Sequence, residues 1–131
     1  MAIARKLDDL VDKKFNRVYY DESNEAIVFC SPTDTYRLQH EQDCCEDVYV
    51  ESIVGDLKCL ENTPILVAEE VKSQDKTPEN IQLPDYADES YTWTFYKFVT
   101  LKGYVDVRFF GTSNGYYSES VELVKLNEAK I

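Results

Sequence analysis

One histidine, one tryptophan, one methionine and four glycines among 131 residues leave this chain short of several residue types on which protein chemistry is commonly built. With so few glycines, few backbone positions can demand a positive φ. No glycine-rich phosphate cradle, no G-x-S-x-G elbow and no H-E-x-x-H pair is present, so the usual nucleotide-loop, serine-hydrolase and zinc-protease signatures are absent. The opening residues Met1 to Leu10 hold no apolar run of signal-peptide length, and nothing approaches the ~20 apolar residues of a membrane helix. A soluble chain that stays where it is made is therefore expected. Clustered Lys and Arg are missing too: 14 bases stand against 25 acids, a formal net charge of −11. That balance argues against a nucleic-acid or anionic-membrane surface, because neutralising phosphates takes grouped cations.

What is present fits one globular domain spanning residues 1–131, long enough to bury roughly two thirds of its unfolded surface. Ten Tyr and six Phe tilt it toward strands. The four cysteines, Cys30, Cys44, Cys45 and Cys59, are expected as reduced thiols in the absence of a secretory signal. The acids are unevenly spread. Glu41, Asp43, Glu46, Asp47 and Glu51 follow one another without a base, and Glu69, Glu70, Asp75, Glu79, Asp85, Asp88 and Glu89 are relieved only by Lys72 and Lys76. Such runs serve as a solvated face; the sharper alternatives are a docking surface for a basic partner, an imitation of a phosphate backbone, or a divalent-cation site.

Apolar residues at 3, 7, 10, 11 and 15 have helical spacing, which predicts an N-terminal helix over Ile3 to Phe15. The period then falls to two. Arg17 to Tyr20 and Ala26 to Cys30 read as a hairpin, and Tyr36 to His40 as a third strand with Tyr36, Leu38 and His40 on one face and Arg37 and Gln39 on the other. A short helix is expected near 53–60 and a strand over Ile65 to Val71, followed by a mobile polar loop at 72–89 carrying Pro78 and Pro84. Tyr91 to Thr100 and Tyr104 to Phe110 are the clearest strands. Asn114-Gly115 should close a further hairpin, with Tyr117 to Val124 returning as the last strand. The predicted class is α+β: an N-terminal helix, one short helix and about seven mostly antiparallel strands in which neighbours pair with neighbours.

The densest chemistry lies in His40-Glu41-Gln42-Asp43-Cys44-Cys45-Glu46. Adjacent cysteines on extended backbone point to opposite faces, so at most one would join His40 on a metal. A cysteine nucleophile would be poorly served as well, since surrounding carboxylates disfavour the thiolate. In the plainest reading one cysteine packs as a small apolar group while His40 bonds a neighbouring carboxylate. Trp93, Phe95, Tyr96, Phe98, Tyr104, Phe109, Phe110, Tyr116 and Tyr117 crowd neighbouring strands. They serve either as core or as the wall of a pocket for a flat, nucleotide-like ring, with Arg108 or Lys97 as phosphate partner.

The block His40–Glu46, followed by Val48-Tyr-Val-Glu51 and Gly55-Asp-Leu57, then Ser90-Tyr-Thr-Trp-Thr-Phe-Tyr-Lys97 and Ser113-Asn-Gly-Tyr-Tyr-Ser-Glu119, resembles three recurring blocks of an uncharacterised domain common among tailed-phage accessory proteins. The resemblance covers residues 15 to 124. It implies a phage or prophage origin and action in the cytoplasm of a bacterial host, and it brings no catalytic residues. The expectation is a non-enzymatic binding module that interferes with a host process, host defence included, by binding a host protein or capturing a small nucleotide-like molecule. His40, Asp43, Cys44, Glu46, Trp93, Arg108, Asn114, Tyr116 and Tyr117 are the candidate ligand- or partner-binding residues. No catalytic residue, metal ligand or cofactor is assigned. The competing readings are a metal-assisted or cysteine-dependent hydrolase using the His40–Cys45 segment, and an acidic nucleic-acid mimic that inhibits a host nuclease.

Overall fold

The computed structural model describes residues 2–126 and is almost wholly β. Nine strands follow in order: β1 Ala2–Arg5, β2 Arg17–Asp21, β3 Ala26–Cys30, β4 Thr35–Gln39, β5 Asp47–Val54, β6 Val67–Gln74, β7 Ser90–Thr100, β8 Gly103–Ser113 and β9 Glu122–Leu126. They form two antiparallel sheets, one ordered β1-β9-β4-β3-β2 and the other β5-β8-β7-β6. Phe15, Phe29, Tyr96, Phe98 and Phe109 fill the space between them. Phe29 of one sheet meets Phe98 of the other edge-on at 5.3 Å, a geometry that places a positive ring edge on a negative face.

The expected α+β class is thus overturned, and with it the N-terminal helix. Residues 2–5 pair with β9, Leu7–Leu10 make a single 3-10 turn, and Asp12 takes a left-handed φ of 73°. A lone helix of that length is marginal in water, whereas here the segment gains ladder bonds from β9 and from residues 61–66. Asp12 N–H donates to the Ile65 carbonyl at 2.7 Å and Ile65 N–H donates to that of Lys13 at 2.9 Å. Leu10 and Phe15, two of the residues that suggested a helical stripe, are buried nonetheless. Their burial is what the spacing recorded; the backbone reaches it by a different path.

The short helix near 53–60 is likewise replaced. Strand β5 runs to Val54, and only the 3-10 turn Leu57–Leu60 follows, its first turn capped by the Asp56 carboxylate, which accepts from Lys58 N–H at 2.9 Å. Between them Gly55 holds a φ of 108°, and a Cβ there would sit 2.7 Å from the Tyr104 carbonyl oxygen, so no larger residue fits.

The hairpin β2–β3 and strands β4, β7 and β8 lie close to where alternation places them. Two connections do not follow neighbour pairing. Strand β5 pairs with β8, and β9 leaves the sheet of β8 altogether to pair with β4 and β1, so Asn114-Gly115 opens a crossover rather than a hairpin. Strand β6 also reaches Gln74, three residues into the segment expected as loop. The remaining polar segment, 75–89, lies against the outer face of β7 and β8. There Trp93, wholly buried, packs on Phe110 at 4.6 Å, Tyr86 meets Phe110 edge-on at 6.4 Å, and Trp93 Nε1 donates to Thr77 Oγ1 at 3.2 Å.

Candidate functional site

Strand β4 sets the site by its alternation. Tyr36 and Leu38 turn into the core, while Arg37 and Gln39 project from the opposite face of the five-stranded sheet. Immediately beyond β4 the chain folds back on itself over residues 40–46. His40 and Glu46 close this clasp: His40 Nε2 lies 2.7 Å from Glu46 Oε2, and Nδ1 lies 2.6 Å from the Ser120 carbonyl oxygen. Both ring nitrogens are thus engaged, one by a carboxylate and one by a backbone carbonyl. Glu46 also accepts from Asp43 N–H at 2.7 Å and Cys44 N–H at 2.9 Å. Its side chain is fully buried. Burial by itself would raise its pKa, but the Cys44 N–H, the His40 ring and the Asp43 N–H together prevail and hold it down at about 2.

Cys44 and Cys45 are joined to one another in a disulfide, against the expectation of reduced thiols, while Cys30 and Cys59 are free. The turn at 44–45 takes the chain out of the extended form that would have pointed their side chains apart. Among the described residues no three His, Cys, Asp or Glu side chains are grouped so as to hold a metal ion.

Beside the clasp lies a cleft of about 770 Å³, where the β2–β3 turn, β4 and the start of β5 meet. Asn24, Arg37, Gln39, His40, Asp47 and Tyr49 are among its walls, with Glu25 and Glu41. Arg37 runs outward between Val28 and Val124, its partners on the two adjacent strands. Among the described residues it makes no ion pair, and its Nε is buried without a hydrogen-bond partner. Glu25 is committed elsewhere: its Oε1 accepts from Val50 N–H and from the Tyr20 hydroxyl, each at 2.9 Å.

The sequence-derived candidates fall into three places. His40, Asp43, Cys44 and Glu46 share the clasp. Trp93 and Arg108 sit together on the outer face of the other sheet, the guanidinium 5.6 Å from the indole ring and bonded to Glu51 at 2.5 Å, which leaves Arg108 already paired. Asn114, Tyr116 and Tyr117 form the β8–β9 crossover: the Asn114 side chain accepts from Tyr116 N–H at 2.9 Å, and the two tyrosine rings meet edge-on at 4.9 Å. The wall around Trp93 is occupied by the chain's own Tyr86.

Arg37, Tyr49 and Glu119 are not among the sequence-derived candidates. Arg37 carried one legible signal, its place opposite the buried face of β4. Glu119 carried none. It is buried by close approach to Gly111, where a Cβ would stand 3.0 Å from its own, and it accepts from Ser113 Oγ at 2.5 Å and Thr92 Oγ1 at 2.7 Å.

The profile of a protein family described as a domain of unknown function, DUF7448, matches residues 8–123, and the chain belongs to that family. No curated protein and no solved structure matches it.

Proposed function

We propose that this member of the DUF7448 family is a binding module that captures a small anionic molecule, of nucleotide size and polarity, in the cleft at Arg37. One observation carries the reading: a guanidinium that stands in a cleft beside carboxylates yet pairs with none of the described ones, and whose Nε is buried without a partner. Leaving a buried donor unsatisfied costs about 1–3 kcal/mol, and a ligand oxygen that accepts from it recovers that cost. Phosphate suits the planar fork of arginine, which binds it through two parallel N–H groups. The cleft volume is within the range of small-molecule sites. Asp47, Gln39 and Asn24 supply acceptors and donors for sugar hydroxyls and ring edges. In the setting that the phage resemblance implies, such capture withdraws a nucleotide from a bacterial host. The hydrolase reading of residues 40–45 has less support, because the Cys44 sulfur is paired with Cys45 and both His40 nitrogens are engaged.

Calorimetric titration with adenosine and guanosine monophosphates, the parent nucleosides and inorganic phosphate tests this. A monophosphate should bind more tightly than its nucleoside, and Arg37→Met should abolish the difference. Absence of binding by every monophosphate and by phosphate, or equal binding by Arg37→Met, overturns the proposal.

A further inference from the structure

Four strands edge the two sheets, and they are not protected alike. On β2, Val18 N–H donates to the Glu61 carboxylate at 2.9 Å, and on β5, Val50 N–H donates to Glu25 at 2.9 Å, so a carboxylate shields each edge. Strand β1 is only four residues long. Strand β6 has eight residues, and none of the described side chains caps its outward N–H groups. The ladder shows which groups those are. Asp75 N–H donates to the Tyr91 carbonyl at 2.7 Å, and with Gln74 opposite Thr92 and no break in register, Ser73, Val71 and Glu69 bond toward β7. Ala68, Glu70, Lys72 and Gln74 therefore turn their N–H and C=O groups away from β7.

We infer that β6 is the contact strand of a symmetric dimer, pairing antiparallel with β6 of a second copy about a two-fold axis at Val71. Charges laid along an edge normally keep a second strand away. They also choose a register. Centring the axis on Glu70 sets Glu70 against its own copy, and centring it on Lys72 opposes two lysines; both place like charges directly opposite, which is unfavourable. Centring it on Val71 makes Glu70 the partner of the second copy's Lys72, and Lys72 the partner of its Glu70. The same register bonds Ala68 to the second copy's Gln74 and uses the outward backbone groups of all four positions. It satisfies the other face as well. Val71, 63% exposed in the single chain, meets its own copy at a non-hydrogen-bonded position where Cα atoms approach to about 4.5 Å. Its cross-strand neighbour Phe95 then extends the apolar strip into each protomer. The product is one continuous eight-stranded sheet.

Sedimentation equilibrium on the whole chain should show a concentration-dependent monomer–dimer equilibrium. Glu70→Lys and Lys72→Glu each turn two attractive contacts per dimer into repulsive ones and should weaken association by about tenfold or more. The double variant Glu70→Lys/Lys72→Glu should restore it. Glu70 accepts from the Tyr96 hydroxyl at 2.5 Å, so circular dichroism and a thermal melt accompany each variant. Lys72 makes no ion pair or side-chain hydrogen bond among the described residues, and Lys72→Glu decides the question even if Glu70→Lys unfolds. Register is read by oxidation: Val71→Cys should give a covalent dimer, while Glu69→Cys, whose copies lie about 13 Å apart four residues out of register, should not. A monomer at every concentration, association unaffected by Lys72→Glu, or cross-linking by both cysteine variants alike overturns the inference.

Discussion

Two polar regions lie side by side at the end of β4, and His40 belongs to both. In the clasp, the buried Glu46 carboxylate receives His40 and two backbone N–H groups. In the adjoining cleft, Arg37 has a buried Nε with no acceptor. The contrast separates roles that composition alone would merge. A charge whose partners are all supplied by its own chain holds the fold, because removing any partner exposes the desolvation cost of the rest. A charge left wanting lowers stability by itself and becomes useful only when something else supplies the partner.

Breaking the satisfied side should have the largest effect. Glu46→Ala strands the His40 ring and the Asp43 and Cys44 N–H groups, and a loss of about 3–5 kcal/mol is expected, read as a fall of roughly 10–20 °C in the thermal midpoint. Thermal melts of variant and parent check it, and a change within a degree or two would show that the clasp carries no stability.

Acid should produce a graded version of the same loss. Glu46 has a folded pKa of about 2 against an ordinary 4.5, so it binds its proton more weakly when folded. The stability it contributes is complete above 4.5 and disappears as pH falls from there through 2. Melting midpoints measured down through that window should drop for the parent and more shallowly for Glu46→Gln. Parallel pH profiles would contradict the assignment.

Breaking the unsatisfied side should not cost stability. Arg37→Met removes a buried donor that has no partner and keeps an apolar stem between Val28 and Val124, so stability should hold or rise, by up to the ~1–3 kcal/mol that the unmet donor costs. A large destabilisation would mean that Arg37, like Glu46, is structural, and would dissolve the comparison.

Much of the sheet was legible because period-two alternation survives in the residues themselves. Val105, Val107 and Phe109 are buried as their parity requires, and so are Tyr36 and Leu38. The first fifteen residues misled for an equally physical reason. Spacings of three and four report which residues are buried, and Leu10 and Phe15 are; a 3-10 turn and a left-handed Asp12 achieve that burial as readily as a helix. The clasp was half legible, since a lone histidine amid carboxylates points to a pair without saying which one. Glu46 takes that role because, of the acids in the 40–46 segment, it is the one on which two backbone N–H groups converge.

By itself the sequence determined an acidic, strand-rich chain with a buried aromatic core, since charge, β-branched content and alternation are local properties that need no partner. It determined the faces of β4, and so the side from which Arg37 projects. Tertiary structure decided everything that depends on which strands meet across long stretches of chain: β9 crossing to β4 and β1, β5 pairing with β8, Tyr86 filling the wall at Trp93, and Glu119 resting on Gly111. Those outcomes turn on closing distant loops around one core, where the competing arrangements bury similar apolar residues and differ in which backbone and carboxylate groups remain unpaired.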